Sequence, residues 1–101
     1  MCPAKANPGS FACSAEVRKI FISSCEADLQ AILLAWREQA KDDLLKRLHA
    51  LKGALIVFGE GDTAALCEHF EEDLRKQTFS ACEDALLRLD QAMRRLIDSY
   101  K

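Results

Sequence analysis

The placement of backbone breakers constrains this chain more than any other feature. Its four glycines and two prolines fall into two groups: Pro3, Pro8 and Gly9 near one end, and Gly53, Gly59 and Gly61 in the middle. Inside a helix, glycine is about 1 kcal/mol and proline about 3 kcal/mol less favourable than alanine. The long stretches that lack both are therefore open to helices. With 101 residues there is room for one domain, whose usual size is roughly 100–150 residues.

Residues 1–13 combine Pro, Gly, Asn and Ser and read as a tail or linker. The domain then covers 14–101. Ser14, with Glu16 in the first turn, marks a helix start. Val17, Ile20, Phe21, Leu29, Ile32, Leu33 and Trp36 follow at three/four spacing to about Gln39. Cys25 and Ala27 form a weaker middle where the helix can bend. Asp42 or Asp43 serves as cap or first-turn acid for a second helix, Asp43 to Phe58. Gly59-Glu60-Gly61-Asp62-Thr63 is the clearest turn; Gly59 suits a left-handed helix end, and Asp62 or Thr63 can cap a third helix over 63–76. Ser80 with Glu83 resembles a capping box opening a fourth helix, 81–99. Its apolar set is Ala85, Leu86, Leu89, Ala92, Met93, Leu96, Ile97 and Tyr100. No period-two pattern survives outside these segments. The predicted fold is all-α, an up-and-down antiparallel four-helix bundle.

Composition narrows the function. A net charge of −2 and a pI near 5.6 argue against a nucleic-acid-binding surface. The apolar runs Ala31–Trp36 and Ala54–Phe58 fall far short of the roughly 20 residues of a membrane span. The first nine residues lack the apolar core of a signal peptide. These features predict a cytoplasmic chain without direct membrane contact, or a cytoplasmic piece of something larger.

Cys2, Cys13, Cys25, Cys67 and Cys82 are odd in number and contain no C-x-x-C pair. Metal sites need closer ligand pairs, so the expectation is reduced thiols and no metal. Cys67 and His69 cannot act as a nucleophile pair, because i and i+2 on a helix point apart. The runs Glu71-Glu72-Asp73 and Asp42-Asp43 read as solvated helix faces.

The second helix carries the most specific signal. On a wheel of about 100° per residue, Leu44, Leu48, Leu51, Leu55 and Phe58 form one leucine-rich core stripe, and His49 lies opposite. On its face sit Asp42, Leu45, Lys46, Lys52, Gly53 and Ile56. Gly53, one turn away, removes a side chain and opens the imidazole to a partner. Lys46 and Lys52, three residues either side, can reach an anion on the ring. Leu45 and Ile56 offer an apolar docking rim, which Val57 extends. Neutral imidazole is nucleophilic near neutral pH, and phosphoryl transfer is mostly positioning and electrostatics. This arrangement suits a phosphoryl carrier whose partner supplies the catalytic machinery, without autonomous catalysis.

His49-Ala50-Leu51-Lys52-Gly53 resembles the H-x-L-K-G motif of histidine phosphotransfer (HPt) domains. Leu66-Cys67-Glu68-His69-Phe70-Glu71 is similar to that family's L-C-x-x-L-E pattern, with Phe70 in place of leucine. The resemblance implies a multistep two-component phosphorelay. His49 would accept a phosphoryl group from one receiver-domain aspartate and pass it to another, with Lys52 as the stabilising cation and Gly53 giving access. It implies no cofactor on this chain; Mg2+ would belong to the receiver domain. Such domains occur free-standing and at the C-terminal end of hybrid sensor kinases. Two other readings compete: a non-phosphorylated helical adaptor that docks receiver domains, and a small enzyme using cysteine or paired carboxylates, for which no phosphate loop or catalytic motif is present.

Overall fold

The computed structural model describes residues 15–101. The readings of residues 1–13 as a tail and of Ser14 as a cap lie outside these residues. Four helices run in order: α1 Ala15–Arg37, α2 Lys41–Val57, α3 Gly61–Lys76 and α4 Glu83–Tyr100, the last preceded by one 3-10 turn at Ser80–Cys82. Each helix packs on its neighbours in sequence, α4 closes back on α1, and diagonal pairs hardly touch. This is the predicted four-helix bundle, and the described residues contain no strand.

Helix boundaries follow backbone geometry more than side-chain caps. No capping side-chain hydrogen bond opens α2, α3 or α4. Asp42 and Asp43 are first-turn acids of α2, favourable to the helix dipole. Gly61, expected in the turn, is the first residue of α3, so Asp62 lies in its first turn and Thr63 is buried beyond it. Ser80 does not cap α4. The chain is already coiled there into the 3-10 turn, and the Ser80 hydroxyl instead meets Thr78 Oγ1 at 3.3 Å.

The first two turns share one closure. Ala40 N–H donates to Ala35 C=O, and Glu60 N–H donates to Leu55 C=O, both across five residues. This Schellman-type closure needs a left-handed residue just past the helix. Gly59 supplies it at φ +78°. After α1 the same role falls to Gln39, at φ +58°. Helix α1 therefore stops at Arg37, short of the expected Gln39.

The core lies along the bundle axis. Leu44, Leu48, Leu51 and Leu55 of α2 are fully buried, as the wheel predicts, and share one core with Phe70 and Leu74 of α3 and Leu89 and Met93 of α4. Helix α1 runs unbroken through its middle, because Cys25 is a buried core residue that fills the gap in the apolar pattern. Ile20, expected on the core stripe, is instead exposed. At one end Phe21 stacks on Phe58 with ring centroids 4.0 Å apart, and Tyr100 joins at 4.7 Å. The Tyr100 hydroxyl donates to Glu60 Oε2 at 2.8 Å, tying the end of α4 to the α2–α3 turn.

Candidate functional site

Helix α2 packs most extensively on α3, and this pairing builds the site. His49 follows the buried Leu48, so the turn of the helix carries its ring outward, and its side chain is 75% exposed. A Cβ built on Gly53 meets nothing within 4 Å. The bundle itself thus does not require glycine at this position. Gly53 is exposed on α2, one turn from the imidazole.

Behind His49 stands a residue that the sequence pattern concealed. Glu71 of α3, expected on a solvated face, is 2% exposed. Helical spacing explains the burial: Glu71 follows Phe70 and comes one turn after Cys67, both core residues. Its carboxylate faces α2. Oε2 lies 3.9 Å from His49 Nδ1 and 3.4 Å from the Arg75 guanidinium, one turn on in α3. Oε1 lies 3.7 Å from Lys52 Nζ and has no hydrogen-bond partner among the described residues. A buried carboxylate is costly unless paired, so Lys52 and Arg75 are the counter-ions that make this position tenable. Lys52 is correspondingly held close, its side chain only 22% exposed.

The other candidates divide. Lys46 is exposed on α2, and among the described residues no ion pair joins it to Glu71. Its place beside His49 rests on helical spacing. Ile56 stands free on the outer face at 57% exposure, and Val57 is similarly open. Leu45 differs from expectation: it is half-buried and packs against the core. The apolar rim is therefore concentrated toward the C-terminal end of α2.

Among the described residues, burial works against thiol chemistry. Cys25, Cys67 and Cys82 are free and buried. Burial pushes the thiols of Cys25 and Cys67 up to about 12, with the Asp28 and Glu71 carboxylates respectively adding to it. The reactive species is the thiolate, so neither is a poised nucleophile. His69 is exposed on the far side of α3 from Cys67. Among the described residues, no group of three or more His, Cys, Asp or Glu is arranged to hold a metal ion. None of the helices is long and apolar enough to cross a membrane.

On this four-helix bundle His49 stands open, backed by a buried carboxylate and a lysine held against it. The Hpt domain family model matches residues 16–99, and the chain belongs to that family. The sensor protein GacS of Pseudomonas syringae pv. syringae is 34% identical over 83 residues, covering 82% of this chain and 9% of that protein. The chain thus spans less than a tenth of the curated relative's length. No solved structure matches it significantly.

Sequence reasoning matched Glu71 to the end of the L-C-x-x-L-E pattern but read its acidic run as solvated, and it missed Arg75. Glu71 was within reach, since it falls on the Cys67–Phe70–Leu74 core stripe of α3, but its place in a run of three acids argued for solvent. Arg75 has meaning only once the burial of Glu71 is known.

Proposed function

We propose that the chain relays a phosphoryl group between receiver domains, with His49 as the phosphoacceptor. The observation that carries this reading is the open imidazole of His49 with the Glu71 carboxylate 3.9 Å behind its Nδ1. A proton on Nδ1 faces the carboxylate, and the Nε2 lone pair then points to solvent.

The step balances simply. Nε2 attacks the phosphorus of a receiver aspartyl phosphate. The N–P bond forms, the P–O bond to aspartate breaks, and the carboxylate leaves with the electron pair. Attack leaves the ring cationic, and Nδ1 then gives its proton to solvent, so the phosphorylated imidazole is neutral; the proton returns before discharge. Discharge to a second receiver is the same step in reverse. Lys52 Nζ supplies positive charge for the phosphoryl oxygens, and Lys46 adds to it from one turn before. Ile56 contributes to the apolar rim on which the receiver docks, with Leu45 filling in beneath. Mg2+ belongs to the receiver, where it offsets charge on the transferring group. The relation to a sensor protein supports a place in a sensor's relay; in this reading the chain is the phosphotransfer part of a hybrid sensor kinase, on the cytoplasmic side.

The test is phosphotransfer from a receiver charged with acetyl phosphate, with wild type and His49→Gln side by side. Label on wild type and none on the variant is expected. Equal labelling of both overturns the assignment. Receiver binding with no label on wild type favours a docking adaptor instead.

A further inference from the structure

We propose that Glu71 sets the equilibrium of phosphoryl transfer at His49, by competing with the phosphoryl group for Lys52. The inference rests on His49 being the phosphoacceptor and goes beyond it, to how far the transfer runs in each direction.

The argument starts from the environment of one carboxylate. The Glu71 side chain is 3% exposed, and Oε1 has Lys52 Nζ at 3.7 Å but no hydrogen bond among the described residues. Oε2 is served by Arg75 at 3.4 Å. Without phosphate, Lys52 serves as counter-ion to a buried negative charge. A phosphoryl group on His49 Nε2 brings a charge of about −2 within reach of the same ammonium. Lysine is a point charge on a flexible stem and can turn from one anion to the other, but it cannot satisfy both fully. If it moves to the phosphoryl oxygens, Oε1 is stranded in a buried position. If it stays, the phosphoryl group lacks its nearest cation. In either case the phosphorylated state carries a cost that the free state does not.

Glu71 therefore raises the free energy of phosphohistidine relative to receiver aspartyl phosphate. It forms no bond to phosphorus and exchanges no proton; besides facing Nδ1 of His49, it acts on this equilibrium as a positioning residue through Lys52. Arg75 moderates the effect by holding Oε2 when Lys52 leaves. A glutamine at this position would keep the shape and a hydrogen-bonding oxygen while removing the charge. The carboxylate thus tilts the domain toward handing on its phosphoryl group rather than storing it.

The test measures an equilibrium constant rather than a rate. Wild type, Glu71→Gln, Arg75→Ala and the double variant are each mixed with one receiver domain and Mg2+. Transfer is started from either side and run to the same end point, and both phosphoproteins are quantified. Glu71→Gln is expected to move the constant about tenfold toward phosphohistidine. Arg75→Ala is expected to move it several-fold the other way, because Glu71 then depends on Lys52 alone. In the double variant the Arg75 effect should vanish. Should Glu71→Gln fail to fold, Glu71→Asp draws the carboxylate back from Lys52 and should shift the constant in the same direction by less. An unchanged constant in a folded Glu71 variant overturns the proposal and leaves His49 as phosphoacceptor intact. An Arg75 effect that persists undiminished without the carboxylate overturns it equally. Failure to label wild-type His49 removes the phosphoacceptor reading and this one with it.

Discussion

Oε2 of Glu71 lies 3.9 Å from Nδ1 of His49, on the neighbouring helix of the bundle. That separation is too long for a hydrogen bond in the resting protein, yet close enough for the carboxylate to favour a proton on Nδ1. The expected consequence is a tautomer bias. Nitrogen-15 NMR should find the Nδ1–H form of His49 dominant, leaving Nε2 free as nucleophile. Glu71→Ala should shift the population toward Nε2–H and slow transfer in both directions, while exposed His69 serves as an internal reference that does not change. A His49 spectrum identical in the two proteins would show that the carboxylate does not select the tautomer.

Gly53 predicts a separation of stability from activity. Its helical position costs about 1 kcal/mol relative to alanine, and an added Cβ meets open space. Gly53→Ala should therefore raise stability by about 1 kcal/mol, a shift of about 4–8 °C in melting temperature for a domain of this size. If the glycine serves access, the same substitution lowers the rate of transfer from a receiver, and Gly53→Leu lowers it further. Calorimetry and a transfer assay on the same samples check both. An alanine variant that is more stable and equally active would show that access does not depend on this glycine.

How much of this was legible in the sequence follows from what each signal depends on. The Leu44–Leu55 stripe and the outward place of His49 are fixed by helical period alone, so the wheel found both. Gly59 was legible because glycine is the residue best suited to φ +78°. The matching end of α1 was not, because Gln39 occupies the left-handed position without advertising it. Ser80 misled because capping boxes are read from spacing, whereas the chain there had already entered a 3-10 turn. The core stripe of α3 put the burial of Glu71 within reach, but what makes that burial tolerable is tertiary. Lys52, on another helix, and Arg75 supply charge, and no single-helix pattern contains that information.

The two left-handed turn residues should respond oppositely to exchange. Gly59→Ala places a Cβ in a conformation that costs L-residues roughly 1–2 kcal/mol and should destabilise by about 1 kcal/mol. Gln39→Gly relieves the same kind of strain, partly offset by the greater freedom glycine has when unfolded. It should therefore stabilise by about 0.5 kcal/mol. Urea unfolding at constant m-value measures both. A loss of stability in Gln39→Gly would mean that contacts of the glutamine side chain, rather than its backbone conformation, hold the turn.

The buried thiols give the domain an alkaline limit. Cys25 and Cys67 have thiols raised to about 12 from a reference of 9.0, principally through burial. The fold therefore favours the protonated form more strongly than the unfolded chain does. Their contribution is fully present below about pH 9. It is lost as pH climbs toward 12, because unfolding then releases protons that the native state retains. The slope approaches about 1.4 kcal/mol per pH unit for each thiol over that window. Tyr100 acts in the same sense: burial first, then its hydrogen bond to Glu60, raise its hydroxyl above the usual tyrosine value. Stability should thus be flat with respect to these groups near neutrality and fall steeply above pH 9. Cys67→Ala should lower stability at neutral pH by opening a small cavity, yet flatten the alkaline decline. Alkylation supplies an independent check: iodoacetamide at pH 8 should leave Cys25, Cys67 and Cys82 unmodified until denaturant is added. Rapid native-state modification of Cys67 would show that the core opens there far more readily than its packing implies.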